Sequence, residues 1–140
     1  MKKAISLIVG LLFIPEIMLA ANLTCLIKGL EHLEGSLNIA FYSSADTFLK
    51  DGKQIASCRN SQPLNKDSRL ICPLPAGAYA AAVYHDENSN GKMDTNFLGI
   101  PKEGYGFSNN AHGSFGPPKY EDAAFTMGES DQETSILLKY

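Results

Sequence analysis

The stretch His85-Asp86-Glu87-Asn88-Ser89-Asn90-Gly91-Lys92-Met93-Asp94 places oxygen-bearing side chains at every second position, Asp86, Asn88 and Asn90, with a further carboxylate at Asp94. A tightly turning chain of this pattern can aim successive oxygens at one centre, Gly91 permitting the bend and the Lys92 carbonyl adding a backbone ligand. Hard oxygen donors suit calcium, so Asp86, Asn88, Asn90, Lys92 and Asp94 form a candidate cation set. The same residues also read as a metal-free turn. Asn90-Gly91 is a strong turn signal, and Asp86 and Asn88 can accept backbone N–H bonds in Asx turns. Two neutral amides in the set lower its charge and hence its affinity for a cation.

The opening positions of this stretch match the start of an EF-hand loop, but Phe97 stands where the bidentate Glu belongs, and strand patterns flank it. It resembles instead the Asp-x-Asn-x-Asn/Asp-Gly-x-x-Asp loops that hold calcium in β-sandwich adhesin repeats, with Glu87 or Glu103 available to complete the shell. A second chemistry uses His85 and His112, which flank the following loop: with Asp86 or Glu103 they could serve a metal-assisted hydrolase or a redox protein. No His-x-x-x-His spacing supports it, and a strand-end His beside an Asp is ordinarily a hydrogen-bonded structural residue. Ser108 and Ser114 sit in no Gly-x-Ser-x-Gly pattern, and no helix pattern follows Gly104-Tyr105-Gly106 or Gly113 to Gly116 to make a phosphate loop. The expectation is therefore a protein that is not an enzyme.

The elements that position these residues are short and alternate with period two. Strands are expected over Leu23 to Ile27, Ser36 to Tyr42, Gln54 to Cys58, Arg69 to Cys72, Ala78 to His85, Ala123 to Met127 and Ser135 to Tyr140, with one helical turn at Asp46 to Lys50. About seven short strands separated by turn signals predict an all-β fold, an antiparallel β-sandwich of immunoglobulin-like or transthyretin-like type. Asp86 to Tyr120 departs from the strand rhythm, holding six of the 12 Gly, five Asn and five of the aromatics. Long loops in compact domains are usually functional or disordered, and Phe97, Tyr105, Phe107, Phe115 and Tyr120 supply apolar surface that disordered tracts lack. One long ordered loop, pinned by its aromatics over the sandwich end, is expected. Its candidate binding residues are His85, Glu103, Tyr105, Phe107, Asn109, Asn110, His112 and Phe115.

Lys2 and Lys3, the apolar run from Ala4, and the small residues Ala20 and Ala21 read as an export signal over residues 1–21, leaving 22–140 as a single domain. Pro15 and Glu16 cut the apolar run to about a dozen residues where about 20 are needed to span a bilayer, so no membrane span remains after cleavage. A periplasmic or secreted location follows. The 140 residues carry 12 basic and 15 acidic side chains, a net charge of -3 that offers no surface for nucleic acid. In an oxidising compartment two of Cys25, Cys58 and Cys72 can pair. Cys58 and Cys72 flank a polar stretch as a bridged pair of neighbouring strands would, and Cys25 alternates with Leu23 and Ile27 as a buried apolar residue, although three cysteines allow three pairings.

Several longer stretches carry a resemblance: Leu74-Pro75-Ala76-Gly77-Ala78-Tyr79-Ala80, then His85-Asp86-Glu87-Asn88, then Gly99-Ile100-Pro101-Lys102-Glu103-Gly104-Tyr105-Gly106-Phe107-Ser108-Asn109-Asn110. With Gly116-Pro117-Pro118 and Tyr120-Glu121-Asp122-Ala123-Ala124-Phe125, the chain resembles domain of unknown function family 2141 over nearly all of the expected mature protein. The resemblance implies an exported bacterial β-sandwich whose biochemical role is not established. The functional expectation is a non-enzymatic binding or structural module with a calcium-stabilised acidic loop, acting on an envelope protein or small ligand.

Overall fold

The computed structural model describes residues 19–60 and 62–140. All but residues 19–21 of the expected export signal lie outside the described residues. Alternation of apolar and polar side chains lets each strand bury one face. In β1 (Ala21–Lys28), Leu23, Cys25 and Ile27 point inward, and in β2 (Ser36–Tyr42) Leu37, Ile39 and Phe41 do so. Two short strands follow, β3 (Ala56–Arg59) and β4 (Arg69–Leu74), then β5 (Gly77–Asp86), β6 (Tyr105–Phe107), β7 (Ala124–Met127) and β8 (Gln132–Leu137).

These strands form two sheets, β4-β1-β8 and β3-β2-β5-β6, with β7 also paired to β5. Their inner faces enclose one core in which Phe41, Ile39, Leu37, Ile27, Leu74 and Ile136 are fully buried. Burying each such side chain stabilises by about 1.5–3 kcal/mol. β5 is the axis of the second sheet. Its one edge carries β2, and its other edge is shared antiparallel between β7 along Gly77 to Ala80 and β6 along Ala82 to Tyr84. The pairs are antiparallel except β1 with β8, which run parallel because the chain crosses between sheets before β8.

The stretch expected as one ordered loop is ordered but divided, because Tyr105 to Phe107 returns to the sheet as β6. After it a single turn of 3-10 helix (Ser108–Asn110) and the short helix α1 (Tyr120–Ala123) fold over the outer face of β5. There Ala80, Phe107 and Ala123 form a second buried cluster with Phe48, Tyr105 and Tyr120 around it. Phe48 meets Tyr42, Phe107 and Tyr120 edge-on at centroid distances of 5.6, 6.3 and 5.9 Å. Of the five aromatics expected to pin the loop, Tyr105, Phe107 and Tyr120 do so. Phe97 and Phe115 do not, being 95% and 104% exposed. Neither belongs to the second cluster.

Cys58 and Cys72 are joined, and Cys25 is a free, buried cysteine. The bridged strands are not neighbours within one sheet, as the spacing suggested. β3 and β4 are edge strands of opposite sheets, so the disulfide staples the two layers together along one side.

Candidate functional site

The acidic turn begins where β5 leaves the sheet. Asp86 is fully buried, and its two carboxylate oxygens accept the N–H groups of Asn90 (3.0 Å) and Gly91 (2.9 Å). Asn88 Oδ1 accepts the same Asn90 N–H at 3.1 Å, and Asn90 Oδ1 accepts that of Lys92 at 3.0 Å. These nested Asx turns wind the chain tightly enough that Ser89 and Gly91 take positive φ, 59° and 82°. The Tyr84 hydroxyl donates to the Gly91 carbonyl at 3.1 Å and ties the turn back to its strand. Beneath it passes Gly35, also at positive φ. A Cβ there would collide with the Asp86 carbonyl oxygen and lie 2.7 Å from Glu87 Cα, so only glycine lets the 29–35 turn pass under the site.

Winding brings three of the candidate cation residues, Asn88, Asn90 and Asp94, into contact, while both Asp86 oxygens face backbone N–H groups. Asn88 Nδ2 donates to Asp94 Oδ2 at 2.6 Å, and Asn90 Nδ2 donates to both Asp94 oxygens at 3.0 and 2.9 Å. Hydrogen bonds from the Asn88 and Asn90 amides, reinforced by nearby Lys92 and Lys102, hold the Asp94 carboxyl below the usual aspartate range. A carboxylate with a depressed folded pKa helps hold the turn above its unfolded value, and this help is lost as pH falls through the folded value. A carboxyl-carbon NMR titration is expected to give Asp94 a midpoint below 3.8. A midpoint at or above that value would contradict the amide contacts.

Glu103, 5% exposed, fastens the far side of the turn: its oxygens accept the N–H groups of Glu87 at 3.0 Å and Asp94 at 2.9 Å. Glu87, the other side chain expected to complete a cation shell, points toward His32 at 4.0 Å. Between Asp94 and Lys102 the chain runs out and back as a small hairpin, with Thr95 bridging Pro101 and Lys102 N–H donating to the Asp94 carbonyl at 2.9 Å. Its tip is locked by Asn96, whose Oδ1 accepts the N–H groups of Leu98 (2.9 Å) and Ile100 (3.0 Å). The locked tip carries Phe97 at 95%, Leu98 at 69% and Ile100 at 55% exposure.

His85 is fully buried and engaged at both ring nitrogens. Nε2 lies 2.6 Å from the Glu34 carbonyl and Nδ1 2.8 Å from the Tyr140 hydroxyl. A carbonyl only accepts, so Nε2 carries the hydrogen, and in the neutral ring Nδ1 accepts from the Tyr140 O–H. Burial pushes the Tyr140 phenol up, in keeping with a hydroxyl that stays protonated. His112 instead lies exposed beside a cleft of about 210 Å³ with Tyr105, Phe107, Asn110 and Lys139. Among the described residues no group of three or more His, Cys, Asp or Glu is gathered for a metal ion.

Asn109 and Asn110 both take positive φ, 58° and 50°, and act as fasteners. Asn109 Nδ2 donates to the Ala124 carbonyl at 2.8 Å, and Asn110 Oδ1 accepts the Leu137 N–H at 2.8 Å. Beside them the buried Ser108 hydroxyl donates to the Ala123 carbonyl and accepts the Ala81 N–H. Sequence reasoning missed Asn96, Leu98 and Ile100. Their signal was an Asn and a Gly three residues apart enclosing large apolar residues, a turn with nothing polar to show to water.

A family model described as "Uncharacterized protein conserved in bacteria (DUF2141)" matches residues 26–135, from within β1 to within β8. The chain belongs to the DUF2141 family. The match takes in the whole acidic turn and hairpin of this DUF2141 protein, so the site is built from family sequence and not from an appended segment. No curated protein and no solved structure matches the DUF2141 chain.

Proposed function

We propose that this protein is an exported, non-enzymatic binding module, periplasmic or secreted, that engages its partner through the hairpin at residues 94–102. One observation carries the reading: a tip locked by Asn96 and based on the buried carboxylates of Asp86 and Glu103 displays Phe97, Leu98 and Ile100 to solvent. Rigid display of large apolar side chains adds nothing to the stability of an isolated domain, whereas it prepays the ordering cost of binding. Export is supported by the leader-like residues 1–21 and by the Cys58–Cys72 disulfide, a bond suited to oxidising compartments. Cleavage after Ala20 would leave all of β1 intact, since Ala21 begins that strand opposite Leu74.

The test is a Leu98→Cys variant carrying a benzophenone, irradiated with total envelope material. It is expected to form adducts that the same label at Ile71→Cys, a position 65% exposed on β4, does not form. No adduct above that control would overturn the reading.

A calcium ion at the base of the hairpin is a second reading, favoured by the convergence of Asn88 and Asn90 on Asp94. Rotating the two amides, with loss of the N–H bonds their oxygens accept from Asn90 and Lys92, would turn those oxygens toward Asp94. Melting in millimolar calcium is then expected to occur above melting in chelator, with the difference lost in Asp94→Ala. Identical midpoints in the parent protein would remove calcium from the account.

A further inference from the structure

We infer that the cleft between β6, Leu137 to Lys139 and the 110–118 loop is a second site, one that binds a small carboxylate with a flat apolar body, a single-ring aromatic acid. The inference is independent of the hairpin, because no residue of 94–102 lines the cleft.

Strand geometry makes the first wall. Tyr105 and Lys139 exchange both backbone hydrogen bonds, Tyr105 N–H donating to the Lys139 carbonyl at 2.9 Å and Lys139 N–H to the Tyr105 carbonyl at 2.8 Å. Side chains of such an antiparallel pair stand on the same face, as do those two residues further along each strand. Tyr105, Phe107, Leu137 and Lys139 therefore share one patch, an apolar surface with an ammonium at its edge, and all four line the cleft. Gly106 allows the approach, since a Cβ there would lie 2.7 Å from the Leu137 carbonyl oxygen. The 110–118 loop makes the second wall. A Cβ on Gly113 would lie 2.5 Å from the Pro117 carbonyl oxygen, so the loop doubles back at this glycine and brings Pro118 to the cleft. The space between the walls is about 210 Å³. Sites for drug-sized ligands begin at roughly 300 Å³, so this one fits a single ring.

The polar groups of the lining set the charge of the occupant. No Asp or Glu lines the cleft, although the chain as a whole carries a net charge of -3. Asn110 Oδ1 accepts the Leu137 N–H at 2.8 Å, which fixes the amide and leaves Nδ2 as its free donor. Lys139 Nζ can only donate, and the His112 imidazole presents at least one N–H whether neutral or charged. Among the described residues no side-chain hydrogen bond engages Lys139, His112 or the Tyr105 hydroxyl, and no carboxylate, that of the last residue included, comes within 4.0 Å of Lys139 or His112. Donors from three segments thus border one apolar wall with no acceptor of the protein to bond. A carboxylate accepts from several donors at once, and its bonds to charged donors are the stronger kind. An inorganic anion would leave the apolar wall unused, and a neutral ring would leave the ammonium unpaired. A ring bearing a carboxylate uses both.

Titration of the isotope-labelled full chain with benzoate, followed by its amide NMR shifts, decides it. Benzoate is expected to move the amides of Gly106, Asn110, Gly113 and Lys139 saturably, with a dissociation constant of about 1 mM or tighter, while the amides of the hairpin stay in place. Benzamide keeps the shape without the charge, and inorganic phosphate keeps charge without the ring. Each should bind the parent protein about ten-fold or more weakly than benzoate does. Lys139→Gln with His112→Gln should weaken benzoate by about ten-fold and leave benzamide unchanged. This double variant should melt with the parent, because both side chains are exposed. A parent protein without saturable benzoate shifts overturns the inference. So does phosphate binding as tightly as benzoate, or benzoate binding the double variant as it binds the parent.

Discussion

His85→Ala is expected to destabilise the fold by about 4 kcal/mol, the range for truncating a large buried side chain that also loses its hydrogen bonds. The ring fills the junction where the end of β5, the turn before β2 and the C-terminal residue meet, and it is the only described partner of the Glu34 carbonyl. Removing it opens a cavity and strips Tyr140 of its acceptor, leaving that hydroxyl only the Glu31 N–H at 3.4 Å. Tyr140→Phe keeps the ring, losing the hydrogen bond to His85 and the long one from Glu31 N–H, and should cost about 1 kcal/mol. Urea unfolding of the two variants measures both. A cost below about 1 kcal/mol for His85→Ala would mean that the imidazole is not needed structurally, which would return it to the pool of groups available for chemistry.

Loss of the disulfide, in Cys58→Ser with Cys72→Ser, is expected to cost about 3 kcal/mol in the chain-entropy model and to lower the melting temperature by about 10 °C. The effect is large because of where the bridge lies. β3 has only four residues and β4 only six, each is paired on one side alone, and no backbone hydrogen-bond ladder joins the sheets along that edge. Once folded, the bridge should also resist exchange with the third cysteine. Cys25 is buried, and burial pushes its thiol up to about 12, so the thiolate needed for exchange is absent at neutral pH. A melting temperature unchanged by the double variant or by reductant would contradict the stapling role.

Sandwich architecture was legible in the sequence because a half-buried strand writes its burial into alternate residues. Leu37, Ile39 and Phe41, or Tyr79, Ala81 and Val83, need no knowledge of their partners to be read as one face. β6 escaped because it is three residues long with a glycine at its centre, too short for a period of two to show. The parallel pairing of β1 with β8 is a property of how the chain crosses between sheets, which no local pattern encodes.

The acidic turn was legible as a turn, down to Asp86 and Asn88 accepting backbone N–H groups. Glu87 and Glu103 were both readable as its completing carboxylates, but nothing in the sequence chose between them. Glu103 reads in sequence as a ninth residue beyond Asp94 in a glycine-rich stretch, and only the hairpin between them brings its carboxylate to the Glu87 and Asp94 amides. His85 reads in sequence as a hydrogen-bonded strand-end residue or a member of a site with His112, and the groups that occupy it, the Glu34 carbonyl and the Tyr140 hydroxyl, are too distant in sequence to be named from it. Phe97 and Phe115 were read as anchors on composition. Whether an aromatic in a loop faces the core or the solvent depends on the turn that carries it, and at Phe97 that turn points away.

A rigid base presenting an apolar tip is the centre of the account, and amide hydrogen exchange across residues 86–103 tests it most directly. The N–H groups of Asn90 and Gly91 on Asp86, of Glu87 and Asp94 on Glu103, and of Leu98 and Ile100 on Asn96 are all hydrogen-bonded to side chains within the loop. They are expected to exchange well below the rate of an unstructured peptide while the exposed side chains of Phe97, Leu98 and Ile100 remain in water. Exchange of these amides at the unstructured rate would show a flexible loop with no fixed tip, and would contradict the account.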